Sequence, residues 1–191
     1  MNIILASASP RRMELLKRIT ENFSVVVSEF DENSVTYSGD CMQYVKEIAL
    51  GKAMDVAGKL NKSSIVIGCD TIVYHKGRVL GKPKDKQEAL HMLENLSGDM
   101  HQVYSGVAVI DTENNSVKTD YMCTDVFFSK LSYEEINNYI DTLDWVDKAG
   151  AYGIQGKAGI FVEKIHGCYY NVVGLPLNLL YHMLMEMGVN L

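Results

Sequence analysis

The stretch IVIGCDTIV, residues 65–73, constrains the fold of this chain more than any other segment. Its residues are nearly all apolar or β-branched, which predicts a buried strand. Asp70 stands at its centre, although an ionised carboxylate in a buried strand is unfavourable unless it is paired, hydrogen-bonded or bound to a metal. Either Asp70 meets such a partner, or it lies at a strand end and caps a turn for which Gly68 leaves room.

The size and composition of the chain are those of an ordinary globular protein. Of its 191 residues, 47% are hydrophobic and 22% are charged. We expect a single domain over residues 1–191, or two closely joined lobes, with a core that needs no disulfides. Helical and strand patterns alternate along the chain, with several hairpins among them. This order predicts an α/β fold with a mixed sheet.

Local patterns place several elements along the chain. Ser9 and Pro10 predict the start of a helix that runs to about Ile19. Apolar residues at helical spacing predict a longer amphipathic helix over residues 41–60. The β-forming segment 169–173 predicts a strand near the end of the chain.

Charge and cysteine content exclude several classes of protein. The formal net charge of −6 argues against a general nucleic-acid binder, which would need a basic surface. No apolar run approaches the length that spans a bilayer, and the apolar start of the chain is too short for a signal peptide. The four cysteines are scattered without metal-ligand spacing, so we expect free thiols in a reducing compartment. The sequence therefore predicts a cytoplasmic protein without membrane or nucleic-acid partners.

The segment Ser7–Arg12 joins the first predicted strand to the first predicted helix. Such a turn directs free backbone N–H groups toward an anion. Arg11 and Arg12 fall in the first helical turn, where cations oppose the helix dipole by about 0.3–1 kcal/mol each. Recognition of a phosphate or carboxylate by the guanidinium groups would explain this placement. A solvated arginine pair is an equally good interpretation of the segment taken alone.

Lysines and carboxylates elsewhere in the sequence suit an anionic ligand. Lys52 falls within the apolar stripe of the long helix, where it must either extend to solvent or meet an anion. Lys82 follows the central strand, and Glu32 lies in an acidic loop. With Asp70, these residues suit a divalent cation and a phosphate substrate. Taken singly, Glu32 is an ordinary solvated residue and Lys82 part of a basic turn.

A glycine-rich segment covers residues 147–159. Its glycines allow a ligand to approach the backbone, and the amide of Gln155 can donate and accept hydrogen bonds at the edge of a base. The spacing matches neither the Gly-x-Gly-x-x-Gly dinucleotide fingerprint nor a P-loop. A flexible surface loop is the alternative interpretation.

In order along the chain, these segments resemble the Maf family of nucleoside triphosphate pyrophosphatases, in particular the branch that acts on dTTP and UTP. The matching blocks cover essentially the whole chain, and it is their ordered combination that is specific. One departure is the segment 144–146, DWV, where this branch has a Glu-Pro-rich sequence. The blocks are LASASPRR (5–12), DE (31–32), Lys52, GCDTIV (68–73), LGKPKD (80–85), LSG (96–98), DKAGAYGIQG (147–156) and VVGLPL (172–177).

The resemblance implies a role for each matched position. Asp70 corresponds to the proton acceptor, and with Glu32 it would hold a divalent metal cation, Mg²⁺ or Mn²⁺. The family fold is an elongated α/β structure like that of inosine triphosphate pyrophosphatases, in which helices flank a mixed central sheet and a cleft separates two lobes. Members commonly form homodimers. The implied substrate-binding residues, some of which set specificity, are Ser7, Arg11, Arg12, Lys52, Thr71, Lys82 and Gln155.

One main hypothesis for function follows from the residues and the resemblance together. The chain would hydrolyse dTTP and UTP to the monophosphate and pyrophosphate, and would thereby remove unwanted or modified nucleotides. A purine-directed enzyme would use the same chemistry. The alternative from a different class is a regulatory binding protein that affects cell division or septum formation without turnover.

Overall fold

A computed structural model describes residues 2–191 of the chain. No helix in this range combines the length and the apolar character needed to cross a bilayer. The strands are β1 (Asn2–Leu5), β2 (Phe23–Val25), β3 (Ser64–His75), β4 (Arg78–Leu80), β5 (Met100–Asp111), β6 (Ser116–Phe128) and β7 (Val162–His166). The helices are α1 (Pro10–Leu16), α2 (Cys41–Ala57), α3 (Lys86–Leu96), α4 (Tyr133–Ile140), α5 (Tyr169–Val173) and α6 (Leu177–Glu186).

The strands form one mixed sheet in the order β2-β1-β3-β5-β6-β7, and β4 pairs with β3 beside this path. β1 pairs in parallel with both β2 and β3, whereas the β3–β4 and β6–β7 pairs are antiparallel. Parallel pairs need crossover connections, which α1 and α2 supply. The predicted α/β class with a mixed sheet is therefore confirmed.

The chain divides into two compact units. The first unit comprises the chain up to residue 70 together with residues 105–122 and 174–191, and the second comprises residues 71–104 and 123–173. Three of the four limits between the units fall inside β3, β5 and β6, and the fourth lies at the end of α5. The assignment of residues 1–191 to one domain stays a prediction.

In the first unit, α2 lies so close to the sheet that two strand positions require glycine. A Cβ on Gly68 would lie 2.1 Å from the carbonyl oxygen of Ala49, and a Cβ on Gly106 would lie 2.1 Å from that of Val45. Any side chain at these positions would displace the helix backbone. Buried apolar residues complete the contact: Ile4, Ala6, Ala53, Val56, Val66, Ala108 and Ile110.

The core of the second unit is rich in aromatic side chains. The ring of Phe128 meets those of His101, Tyr152 and Phe161 edge to face, with centroids 4.9, 4.8 and 6.1 Å apart. Tyr139 extends the cluster through an edge contact with Phe161 at 5.3 Å. Ring pairs of this kind add directional preference to apolar burial. Helices α3 and α4 cover the cluster with Leu93, Leu96, Ile136 and Ile140.

Two helices are shorter than predicted. α1 ends at Leu16, and the N–H groups of Arg18 and Ile19 bond to carbonyls three residues back. Such a tight turn satisfies the last carbonyls of a helix without extending it. α2 ends at Ala57, directly before Gly58, which is an unfavourable residue within a helix.

The strand predicted at residues 169–173 is wrong. This segment is the short helix α5, although Tyr and Val favour strands. Within it, the buried amide of Asn171 donates to the carbonyl oxygen of Val103 at 2.9 Å and to Oγ1 of Thr124 at 3.0 Å. Contacts with residues distant in sequence thus override the local preference.

Candidate active site

Asp70 lies within β3 and is 7% exposed. It is therefore a mid-strand residue, and the interpretation of Asp70 as a strand-end cap is wrong. Gly68 does not provide a bend, because the strand continues through it to His75. Gly68 instead lets the backbone of α2 approach β3, and this approach brings α2 side chains to Asp70.

Lys52 connects two carboxylates. Its Nζ atom lies 2.7 Å from Oδ1 of Asp70 and 2.7 Å from Oε1 of Glu32. The lysine side chain is 12% exposed and that of Glu32 is 50% exposed. Of the two interpretations left open for Lys52, the contact with anions is correct. One ammonium shared by two carboxylates gives the group a net negative charge, open to solvent on the Glu32 side.

The loop that carries Glu32 is fastened to α2 at two further points. Oδ2 of Asp55 accepts hydrogen bonds from the backbone N–H of Glu29 at 2.8 Å and from the hydroxyl of Ser28 at 3.0 Å. The bond from Glu29, followed by that from Lys59, lowers the pKa of Asp55 below its usual range. These contacts hold the acidic loop against the helix.

Phe30 supplies the second point of attachment. A Cβ on Gly51 would come within 2.3 Å of the Phe30 ring, so the ring covers the helix at the residue directly before Lys52. Glu32 follows two residues after Phe30, in a 3₁₀ turn that Asp31 caps by accepting the N–H of Asn33. The position of Glu32 beside Lys52 therefore depends on packing against α2.

Tyr44 is a neighbour of this group that was not among the residues predicted from the sequence. Tyr44 lies two turns before Lys52 on α2. Because helical side chains lean toward the N-terminus of the helix, the side chain of Lys52 extends in the direction of Tyr44. Burial raises the pKa of the Tyr44 phenol, and the negative charges of Asp70 and Glu32 raise it further. Its ring contacts that of Tyr37 edge to face, with centroids 5.4 Å apart. The spacing from Lys52 was the one available indication.

The Ser7–Arg12 segment is fixed by side chains rather than by a helix cap. Nε of Arg12 donates to the carbonyl oxygen of Gly174 at 2.9 Å, and its Nη1 donates to Oγ of Ser7 at 3.3 Å. Oγ of Ser7 also accepts the N–H of Ser9 at 3.2 Å. Ser9 occupies the N-cap position and Pro10 begins α1, so the predicted start of the helix is confirmed, but the side chain of Ser9 makes no capping bond. Arg11 lies in the first turn of α1 and is half-buried.

The other candidate residues belong to the second unit. Thr71 follows Asp70 in β3 and is half-buried, whereas Lys82 after β4 and Gln155 are exposed. Gln155 lies in a tight turn, in which the N–H of Gly156 donates to the carbonyl of Gly153 at 3.0 Å. Within residues 2–191, no three side chains of His, Cys, Asp or Glu converge to hold a metal by themselves. The structure thus brings together Glu32 with Lys52 and Asp70, and Ser7 with Arg12.

Comparison with solved structures gives a likeness of fold. The Staphylococcus aureus Ham1 protein is 18% identical to this chain, with a TM-score of 0.52 over 98% of this chain and 100% of the Ham1 chain. At this identity the likeness concerns the fold and carries no statement about activity.

Sequence comparison gives a closer relationship. A dTTP/UTP pyrophosphatase of Clostridium novyi is 59% identical over 191 residues, which is the full length of both chains. A dTTP/UTP pyrophosphatase of Clostridium botulinum (strain 657) is 60% identical over 192 residues, covering 100% of this chain and 99% of the relative. The family described as Maf-like protein matches residues 2–187. With this match over nearly all of its length, the chain belongs to the Maf family.

Proposed function

We propose that this chain hydrolyses the phosphoanhydride bond between the α- and β-phosphates of dTTP and UTP, releasing the nucleoside monophosphate and pyrophosphate. The observation that carries the proposal is the shared contact of Lys52 with Glu32 and the strand residue Asp70. The names of two relatives that are 59% and 60% identical to the chain support the choice of substrates.

Asp70 is the proposed general base. Its Oδ1 accepts a hydrogen bond from Lys52 at 2.7 Å. A carboxylate held in this way can take a proton from an attacking water molecule. The adjacent ammonium stabilises the carboxylate and offers positive charge to the phosphates.

Cations are proposed to neutralise the triphosphate and the charge that develops on the leaving pyrophosphate. Arg12 is held by Ser7 and Gly174, and Arg11 precedes it in the same helical turn. Lys82 is also proposed to contact the triphosphate. Phosphoryl transfer depends mainly on positioning and electrostatic stabilisation, so this set of residues needs no covalent nucleophile.

The carboxylates of Glu32 and Asp70 fit a divalent cation such as Mg²⁺ or Mn²⁺. Each places an oxygen within 2.7 Å of the same Nζ atom, so the two oxygens converge on one small region. Mg²⁺ commonly takes one or two protein carboxylates and completes its shell with water and substrate phosphate oxygens. When bound, the ion would supply Lewis-acid stabilisation of the phosphate oxygens.

Gln155 and Thr71 are the proposed determinants of base preference. The side chain of Gln155 is exposed and makes no hydrogen bond within residues 2–191. Its amide can donate to one ring substituent of uracil or thymine and accept from the ring N–H. The hydroxyl of Thr71 would add a contact close to Asp70.

A panel of nucleoside triphosphates, assayed with Mg²⁺ and with Mn²⁺, tests the proposal. We expect dTTP and UTP to be the best substrates, with pyrophosphate rather than orthophosphate as the product. Asp70→Asn should lower kcat by at least about 10²-fold, since general-base catalysis contributes about 10²–10⁴-fold. Asp141→Asn, which removes an exposed carboxylate paired with Lys86, is the control. Near-normal turnover by a folded Asp70→Asn variant would refute the mechanism, and orthophosphate as the product would refute the reaction.

A further inference from the structure

The side chain of Asp144 fastens the turn that carries Gln155. Its Oδ2 accepts the backbone N–H of Lys157 at 3.1 Å, and its Oδ1 accepts a hydrogen bond from Lys148 at 3.1 Å. Lys148 also donates to the backbone carbonyl of Asp144. We call residues 153–157 the Gln155 loop. One carboxylate thus joins this loop to a segment thirteen residues earlier in the chain.

The carboxylate of Asp144 leaves no room for a side chain at Gly156. A Cβ on Gly156 would lie 2.0 Å from Oδ2 of Asp144, and the two next nearest atoms, at 2.9 and 3.0 Å, also belong to that carboxylate. The φ angle of Gly156 is −95°, a value that other residues adopt readily. Space rather than backbone conformation therefore forbids a side chain at this position. The loop and the carboxylate are fitted to each other.

The segment that presents Asp144 is itself held in unusual backbone conformations. Leu143, Asp147 and Ala151 have φ angles of 60°, 59° and 63°, in the left-handed region. Residues other than glycine adopt this region only when surrounding contacts enforce it. One such contact is the hydrogen bond from the N–H of Gly150 to the carbonyl of Gly81, at 3.1 Å. The whole segment is thus built to a fixed shape.

Lys148 increases the rigidity of the same arrangement. Its side chain is 15% exposed, and a Cβ on Gly153 would lie 2.7 Å from its Cε atom. The lysine stem therefore lies against the start of the Gln155 loop, while Asp144 binds its end at Lys157. Gln155 stands between these two attachments, exposed and without a hydrogen bond in the described part of the chain.

We propose that Asp144 is a positioning residue for base recognition, which fixes the Gln155 loop so that the amide of Gln155 meets the base of the substrate in one place. This inference rests on the proposed function and deepens it. A fixed loop avoids the entropy of ordering on binding. A loosened loop presents Gln155 in several positions, so it binds substrates more weakly and distinguishes uracil from cytosine less well.

Asp144→Asn is the direct test, with Asp141→Asn as the matched control. Each substitution removes one carboxylate charge, and the two positions are three residues apart. Asp141, however, pairs with the exposed Lys86 and not with the loop. We expect Asp144→Asn to raise KM for dTTP and UTP about tenfold, as the loss of a hydrogen bond to a charged group predicts, with little change in kcat. The preference for UTP over CTP should fall, while the control stays within about twofold of wild type.

A double-mutant cycle with Gly156 separates positioning from general damage to the fold. Gly156→Ala alone should raise KM as Asp144→Asn does, because the new methyl group displaces the carboxylate. In the background of Asp144→Ala, which leaves room for the methyl group, Gly156→Ala should add less than about twofold, since coupled sites are not additive. Fully multiplicative effects of the two substitutions would overturn the proposal.

Amide hydrogen exchange provides a readout that does not depend on activity. The N–H of Lys157 should exchange faster in Asp144→Ala, which removes its acceptor, and at the wild-type rate in Asp141→Ala. Unchanged exchange in Asp144→Ala, or faster exchange with unchanged KM and base preference, refutes the positioning role. If wild-type protein hydrolyses none of the triphosphates, the proposed function fails, and the role in base recognition fails with it.

Discussion

The two units treat a buried basic side chain in opposite ways. In the first unit, the ammonium of Lys52 lies between the carboxylates of Glu32 and Asp70. In the second, His101 is 1% exposed, and one ring nitrogen lies 2.7 Å from the hydroxyl of Tyr152. Burial lowers the pKa of His101 to about 3, so that the imidazole is neutral at physiological pH.

The difference lies in what surrounds each group. Lys52 has opposite charges built in around it, and these offset the loss of hydration. His101 is packed among aromatic rings that offer no such compensation, so the neutral form is favoured. The first unit keeps charge close to solvent on the Glu32 side, where the net negative charge of the group suits the proposed divalent cation. In the second unit, His101 is buried and packs against aromatic rings.

Replacement of Lys52 is the strongest way to break this comparison. Lys52→Met should lower kcat/KM for dTTP by about 10²–10³-fold, the range seen when one preorganised donor is removed from a transition state. Lys59→Met is the control, since Lys59 lies just after the end of α2, pairs with Glu29 and Asp55, and is more exposed than Lys52. Steady-state kinetics measure both variants. Equal losses would show that the position of Lys52 between carboxylates has no special role.

Gly68→Ala tests whether the first group depends on the close approach of α2 to β3. The added methyl group would meet the carbonyl oxygen of Ala49, so we expect a loss of about 1–3 kcal/mol in the free energy of unfolding. Gly81→Ala is the control, because a Cβ there has no neighbour within 4 Å. Urea denaturation measures both. A neutral Gly68→Ala variant would contradict the packing described for this helix.

The pH dependence of stability tests the second unit. The pKa of His101 is about 3 in the folded protein, below the value of about 6.5 in the unfolded chain. The unfolded state therefore binds the proton first as pH falls. Above pH ~6.5 the burial of neutral His101 does not reduce the free energy of unfolding. Between pH ~6.5 and pH ~3 it reduces the free energy of unfolding by up to about 1.4 kcal/mol for each unit by which the pH falls.

His101→Gln should remove this part of the slope. Urea unfolding at several values between pH 7 and 4.5 should show a shallower dependence in the variant than in wild type. Equal slopes of the free energy of unfolding against pH in wild type and variant would mean that His101 is protonated in the folded state. That result would contradict the difference drawn between His101 and Lys52.

The smallest effect is expected at the start of α4. A substitution there should change the stability of the protein without changing its activity. Ser132 accepts the N–H of Glu135, whose side chain in turn accepts the N–H of Ser132. Ser132→Ala should reduce the free energy of unfolding by about 1 kcal/mol. Because this cap touches neither Lys52 nor His101, kcat/KM for dTTP should stay unchanged. A loss of activity larger than the loss of folded protein would show that the two are coupled.

The α/β class could be predicted from the sequence because helical and strand periodicities are local properties. The sequence also predicted that Asp70 has a partner, since burial of an unpaired carboxylate in an apolar strand is unfavourable. Local rules failed where tertiary contacts intervened. The segment Tyr169–Val173 is helical despite its β-forming residues, and its buried Asn171 bonds to Val103 and Thr124, which are distant in sequence.

The sequence by itself determined the α/β class, the burial of β3 and the unfavourable position of a charge within it, because these depend on neighbouring residues. Only the tertiary structure decided that Lys52, eighteen residues before Asp70, meets that charge. That contact requires α2 to lie directly on Gly68, which is a matter of backbone packing between distant segments. The role of Asp144 was hidden for the same reason: its contact with Lys157 is made across a folded loop.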